Sequence, residues 1–304
     1  MAHVISGAAD SRRDDLPMHG DAAAAGTDRA TDTEVAAQRA ARFLALHRPG
    51  EPLLLPNPWD AGSARVLASL GFAALATTSS GFAATFGRPD GAVSRDEALA
   101  NAADIVAATG LPVSADLENG YARDPAGVAD TVTRAIGTGL AGLSIEDYSG
   151  RAEDPIYDIG LAADRITAAA DAAHAGPVRL VLTGRCENFL RDHPDLADTI
   201  ARLQRYQEAG ADVLYAPGLT RAEDIRAVVT SVDRPVNMLA FGGVPSVAEL
   251  AGLGVARISV GGAFAYAAID ALATAARELR DAGTYGYLKQ TVAGRQVAGE
   301  AFRP

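Results

Sequence analysis

The chain has 304 residues, 48% of them apolar, and a formal net charge of -11. That length can bury a large core, and the acidity excludes partners that demand a basic face, namely nucleic acid and anionic membrane. A single cysteine, Cys186, excludes an internal disulfide framework and a cysteine zinc site and fits a reducing, cytoplasmic setting.

Residues 1–33 carry Ala, Asp, Gly and Thr with hardly a large apolar side chain, so a disordered tail is expected there. Charges in the first residues stand where a signal peptide has its apolar core, and no later run reaches the roughly 18 apolar residues of a membrane helix. Thr33 is a cap for a leading helix from Glu34, EVAAQRAARFLALH, with an apolar stripe at Ala36, Ala40, Phe43 and Leu44 and a stop before Pro49-Gly50.

Short apolar runs then alternate with amphipathic stretches. The runs cover residues 53–55, 73–77, 113–115, 142–145, 180–183, 213–215, 236–239 and 257–260, and several intervening helical patterns end in Gly. Eight strand-like runs without hairpin signals predict a parallel sheet, and eight such units close into a (β/α)8 TIM-type barrel over residues 34–282, leading helix included. An open doubly wound sheet is the alternative. The segment GGAFAYAAIDALATAARELRDAG reads as a long Ala-rich helix, and residues 283–304 as a C-terminal extension that either contacts a partner subunit or frays.

A barrel of this kind carries its chemistry on the loops after the strand C-termini. Asn57, Trp59 and Asp60 follow the first strand, Thr78 to Gly81 the second, Asp116 and Glu118 the third, Glu146 and Asp147 the fourth, and Arg185 and Glu187 the fifth, with Tyr215 and Asn237 beyond. Residues two apart on a strand face the same way, so Asp116 and Glu118 converge and, with Glu146, offer an oxygen cage suited to Mg2+. The competing assignment makes them helix caps and rim acids. Arg185 is placed to clamp a substrate carboxylate, or to pair with Glu187 or Glu146. Alternation turns Cys186 toward the helices as a packed thiol. The amides of TTSSGF hold a carboxylate or make an ordinary turn. Asp90, in GRPDG, reads locally as a turn residue, and none of the histidines is placed for acid-base work.

The segments PNPWDAGSARVLASLGFAALATTSSGFAATFGRPDG, SRDEALANAADIVAATGLPVSADLENGY, GLAGLSIED, LTGRCENF and GADVLYAPGL, in this order over residues 50–265, resemble the isocitrate lyase and phosphoenolpyruvate mutase superfamily. The resemblance implies a (β/α)8 barrel, Mg2+, and an α-oxo or 2-hydroxy acid processed through a pyruvate-like enolate. It also implies a homo-oligomer, dimer or tetramer, whose last barrel helix is exchanged between subunits. Position by position it assigns Asp116 as the direct metal ligand, Glu118 and Glu146 as ligands acting largely through waters, and Asp90 as the second-loop acid near metal and substrate. The amides of Ser80 and Gly81 take the substrate carboxylate, Arg185 the carboxylate or oxo group, and Asn237 and Trp59 complete the substrate contacts.

The departures narrow the chemistry. Lyase members carry a Lys-Lys/Arg-Cys-Gly-His run after the Glu-Asp of strand four, where this chain has Tyr148, Ser149, Gly150, Arg151 and Ala152. The phosphonopyruvate branch has Lys there and a longer loop. The expected function is therefore a Mg2+-dependent carbon-carbon lyase, including decarboxylation, on a small α-oxo or 2-hydroxy di- or tricarboxylate, with Tyr148, Arg151 or Tyr215 against the intermediate. The alternatives are mutase-like carbon-phosphorus chemistry on a phosphonate, and a non-catalytic carboxylate-binding barrel.

Overall fold

The computed structural model describes residues 22–303, with side chains from residue 32 onward. Helix α1 spans Ala22–Ala45, so it begins twelve residues before the expected start at Glu34, and Thr33 lies inside it rather than capping it. The run Ala22 to Ala25 favours the earlier start, because alanine has the highest helix propensity, and although Gly26 follows it no proline stands between it and Glu34. The expected tail thus falls partly on this helix and otherwise on residues 1–21, outside the described residues.

The strands are β1 (Leu53–Leu55), β2 (Leu75–Ala76), β3 (Val113–Asp116), β4 (Gly142–Glu146), β5 (Val181–Arg185), β6 (Val213–Tyr215), β7 (Val236–Leu239) and β8 (Arg257–Ser259). All pair in parallel in the order β1-β8-β7-β6-β5-β4-β3-β2. The two ends of that order meet: the Ala76 amide donates to Pro56 O at 3.1 Å. Asn57 staples the seam, its Nδ2 donating to Thr77 O at 2.9 Å while its Oδ1 accepts from the Val260 and Gly261 amides, each at 2.9 Å. The open-sheet alternative is excluded, and the chain is a (β/α)8 barrel.

The helices between strands are α2 (Ala61–Ser69), α3 (Ser79–Thr85), α4 (Arg95–Ala108), α5 (Pro125–Ile136), α6 (Ile159–His174), α7 (Leu196–Glu208), α8 (Ala222–Thr230) and α9 (Val247–Gly252). Asp60, one of the residues expected at the mouth, is instead the cap of α2, accepting from Ser63 N at 2.7 Å. Two cores result from strand alternation. Outward residues such as Leu75, Leu143, Leu182, Leu214 and Met238 pack under the helices, Cys186 among them. The inward residues Leu53, Leu55, Ala76, Ala141, Val181 and Val213 form the floor of the barrel, which Ala40 and Phe43 of α1 plug from below. The floor needs a glycine: a Cβ on Gly142 would lie 2.7 Å from Val181 O and 2.9 Å from the Phe43 ring. Leu44, assigned to the apolar stripe, is 38% exposed, and the face that packs runs through Ala36, Ala40 and Phe43. Phe43→Ala is expected to destabilise by about 3–5 kcal/mol in denaturant titrations, with the cavity opening at the barrel floor.

After β8 the chain forms α10 (Ala263–Arg277), a single π-helical turn (Glu278–Ala282) and α11 (Leu288–Ala301). Only Ala265 of α10 is buried, while Phe264, Ile269 and Leu272 are exposed. The helix touches the barrel near α3, and α11 returns to lie against α2. Leu54, which β1 turns outward, is 42% exposed, so among the described residues no helix covers that side chain from outside. No helix among the described residues is long and apolar enough to cross a membrane.

Candidate active site

The C-terminal ends of β3, β4 and β5 gather the charged groups. Glu146 and Arg185 are register partners on adjacent strands, and Arg185 Nη1 stands 3.3 Å from Glu146 Oε2 and 3.6 Å from Asp116 Oδ2. The other edge of the guanidinium is fixed from behind: Nε donates to Glu187 Oε1 at 2.6 Å, and Glu187 accepts a second bond from Arg191 Nε at 3.0 Å. The Tyr215 ring lies under the guanidinium, with 5.1 Å from its centroid to Cζ. Both ion-pair assignments open for Arg185 in the sequence are therefore made, and neither removes it from the mouth.

Asp116 accepts from the Ser79 hydroxyl at 3.2 Å and from the Glu118 amide at 3.2 Å. Strand alternation ends at Asp116, because Glu118 has a left-handed φ of 49°. A non-glycine residue held there costs of order 1–3 kcal/mol, and the turn is held by the Glu118 amide on Asp116 and by Glu146 N donating to Glu118 O at 2.9 Å. Glu118 thus reaches the Asp116 rim through a tight turn, not through the period of two, and the Tyr121 hydroxyl donates to its Oε1 at 3.4 Å.

Two spaces adjoin this cluster. An outer cavity of about 510 Å³ is lined by Asp90, Glu118, Tyr121, Glu146, Tyr148 and Arg151, among others. An inner one of about 50 Å³, inside the barrel, is lined by Asp116, Arg185, Tyr215, Asn237 and Arg257, among others. Tyr148 enters the outer cavity, with Arg191 stacked on its ring at 3.5 Å and a bridge to Ile156 anchoring its loop. Arg151 pairs with Glu153 at the solvent edge. Asn237 is buried, its Nδ2 donating to Ser259 Oγ at 3.0 Å.

Two assigned substrate contacts are displaced. The Gly81 amide is engaged by Thr78 Oγ1 at 3.3 Å, the cap of α3, which leaves Ser80 as the amide of that pair without such a bond. Trp59 lines an apolar pocket with Gly81, Ile269 and Leu272 beside α10, apart from the acidic mouth. Its place follows from the packing of α10 on α3. Tyr121 and Arg191 have no assigned role in the sequence, yet they brace Glu118 and Tyr148. The Tyr of ENGY, three residues after Glu118, was the available signal for the first.

The cluster is electrostatically unbalanced. Burial and then repulsion from Asp116 and Asp90 push the Glu118 carboxyl up to about 7. Glu146 is held well above the ordinary carboxylate range by burial, against the pull of Arg185. Asp90 is raised by burial of its carboxyl group and by Asp116, although the residue as a whole is exposed on its loop. Among the described residues no three acids, histidines or cysteines converge into a finished metal cage. The donor set is nonetheless all carboxylate oxygen, with one guanidinium against four acids, and a hard divalent cation fits that deficit. Because the Glu118 pKa is raised, the stability linked to it is complete below about 4.5 and is lost as pH rises through about 7. Glu118→Gln is therefore expected to raise the unfolding midpoint of the EDTA-treated protein at pH 8 and to leave it nearly unchanged at pH 4.5; a lower midpoint at pH 8 contradicts this.

An eight-fold barrel carrying carboxylates and an arginine at the C-terminal ends of its strands has them where enzymes of this fold place their active sites. The chain belongs to the phosphoenolpyruvate phosphomutase family, whose model matches residues 43–280. A solved structure from Burkholderia cenocepacia, described as a lyase/mutase, is 52% identical with a TM-score of 0.86, covering 89% of this chain and 98% of that one. An uncharacterized protein of Mycobacterium tuberculosis is 35% identical over 79% of this chain and 89% of its own length. An oxaloacetate decarboxylase of Chromohalobacter salexigens is 30% identical over 79% of this chain and 84% of its own. Carbon-carbon lyases and phosphomutases make up this superfamily.

Proposed function

We propose that the chain is a carbon-carbon lyase acting on a small α-oxo or 2-hydroxy dicarboxylate, with decarboxylation of an oxaloacetate-like acid as its simplest form. The observation that carries this reading is Arg185, which lines the inner cavity and stands 3.3 Å from Glu146 and 3.6 Å from Asp116. Asp116, Glu118 and Glu146 would hold Mg2+, which when bound supplies Lewis-acid stabilisation of an enolate oxygen. Arg185 holds the substrate carboxylate or oxo group and meets the negative charge that develops on it. The Ser80 amide and Asn237 orient the rest of the molecule. In decarboxylation the C–C bond to the departing carboxylate breaks, CO2 leaves, and the electron pair remains as an enolate that is protonated at carbon, with Tyr148 as the hydroxyl at the outer cavity.

The loop Tyr148 to Ala152 has no cysteine to serve as a general acid, which favours a reaction that leaves CO2 over one that must protonate a carbanionic leaving group. Oxo-acid release from oxaloacetate, 2-methylisocitrate, dimethylmalate and phosphonopyruvate, each with and without EDTA, tests the reading. Metal-dependent turnover of one carbon-carbon substrate is expected. Turnover of phosphonopyruvate alone would transfer the site to carbon-phosphorus chemistry, and ligand binding without any turnover would make it a binding barrel.

The same reading takes the protein as a homo-oligomer in which α10 packs on a second copy. Its exposed Phe264, Ile269 and Leu272, and the uncovered Leu54 on β1, support this. Leu272→Glu is expected to shift the species seen by light scattering toward the monomer; an unchanged mass contradicts the assignment of α10 to the interface.

A further inference from the structure

Arg257 opens β8 inside the barrel and is buried. Among the described residues it has no salt bridge. Its Nη1 donates to His47 Nε2 at 3.3 Å, while His47 Nδ1 bonds Phe43 O at 2.8 Å. Those partners place the imidazole proton on Nδ1, and burial followed by Arg257 lowers the His47 pKa to about 3, so the ring that braces the guanidinium is neutral. The Tyr215 phenol lines the inner cavity with Arg257, but burial raises its pKa, so it stands there neutral and supplies no counter-charge. A buried cation without a counter-charge is costly, and such groups are paired in folded proteins.

Two further observations point to what completes it. Arg257 Nε and Asn237 Oδ1 are buried without a hydrogen-bond partner, and both side chains line the inner cavity of about 50 Å³. A water needs roughly 10–15 Å³ of such space, so a cavity of about 50 Å³ admits a small polar group. We propose that this cavity seats a small oxyanion, of carboxylate type, on Arg257 with Asn237 as its second contact. The anion accepts from Arg257 Nε. Asn237 meets it as an acceptor where the oxyanion carries a hydroxyl, or as a donor where the amide is turned and the Ser259 hydroxyl donates to its oxygen. Asp116, the acid that lines the same cavity, is already faced by Arg185. The shared chemistry has two sources: the remote carboxylate of a substrate lying in the mouth, or a free ion resident in the barrel.

The test uses the full-length protein in EDTA, so that no carboxylate binds through a metal and no turnover is needed. Its failure is thereby distinct from failure of the lyase reading. Sodium formate is titrated by calorimetry at constant ionic strength set with potassium gluconate, whose anion is too large for the cavity. Saturable binding is expected in the wild type and in Arg185→Gln, weakened about tenfold or more in Arg257→Met. Arg257→Lys, which keeps the charge but shortens its reach, is expected to fall between them and serves where the Met variant does not fold. In Mg2+, formate that competes with oxaloacetate marks the seat as the substrate's carboxylate pocket, and formate that binds alongside it marks a resident ion. Absence of saturable binding in the wild type, binding unchanged in both Arg257 variants, or binding abolished in an Arg185→Gln protein that still shows a cooperative unfolding transition above the titration temperature overturns the proposal.

Discussion

Replacing Arg185 with methionine is expected to lower turnover by at least about a thousandfold and to destabilise the fold by about 3–5 kcal/mol at pH 8. The first effect removes the guanidinium that faces both Asp116 and Glu146. The second arises because Glu146 and Glu187, both buried, lose the cation that stands between them. Glu146 is already raised by burial, and Arg185 is the largest influence holding it down. Without Arg185 its pKa rises further. A raised carboxyl contributes stability that is whole below its ordinary value and lost as pH climbs through the folded value. The gap between wild-type and variant unfolding midpoints is therefore expected to widen from pH 5.5 to pH 8. A gap that narrows over that range contradicts the assignment of the destabilisation to the uncompensated acids.

Asp116→Ala is expected to cost at least about a thousandfold in turnover through loss of the metal, yet to act on stability with the opposite sign. In the metal-free protein Asp116 repels both Glu118 and Asp90, and it raises Glu146 as well. Removing it relieves that repulsion at the price of its bonds from Ser79 and Glu118 and of its 3.6 Å ion pair with Arg185, a cation that keeps Glu146 and Glu187 as partners. The EDTA-treated variant should unfold at or above the wild-type midpoint at pH 8, while added Mg2+ should raise the wild type alone. A variant that loses activity together with several degrees of midpoint in EDTA would make Asp116 a structural acid.

The barrel was legible because the strands are short apolar runs, several ending in residues too polar for a core, and several helices end where glycine allows it. The charged mouth followed from the same ends: Asp116, Glu146 and Arg185 sit where strand alternation puts them. Glu118 reached the same rim by a different route, a left-handed turn that alternation does not describe. The helix start and the two displaced contacts were not legible. Ala22 to Ala25 continue α1 through propensity that composition alone counted toward a tail. The Gly81 amide is taken by Thr78 and Trp59 is drawn to α10, and both depend on packing that no local pattern records. Arg257 carried a faint signal as a charge opening an otherwise apolar strand, but its lack of a counter-ion among the described residues appears only when all eight strands surround it.

The central claim is that Asp116, Glu118 and Glu146 hold a cation that, with Arg185, stabilises a pyruvate-like enolate. Oxalate is a planar dianion with the shape and charge of that enolate, and transition-state mimics bind far more tightly than substrates. Calorimetric titration of oxalate into the wild type in Mg2+ and in EDTA, and into Asp116→Ala in Mg2+, measures the claim without knowledge of the natural substrate. Saturable binding is predicted in the first titration, weakened about a hundredfold or more in the other two. Equal binding in all three would contradict it.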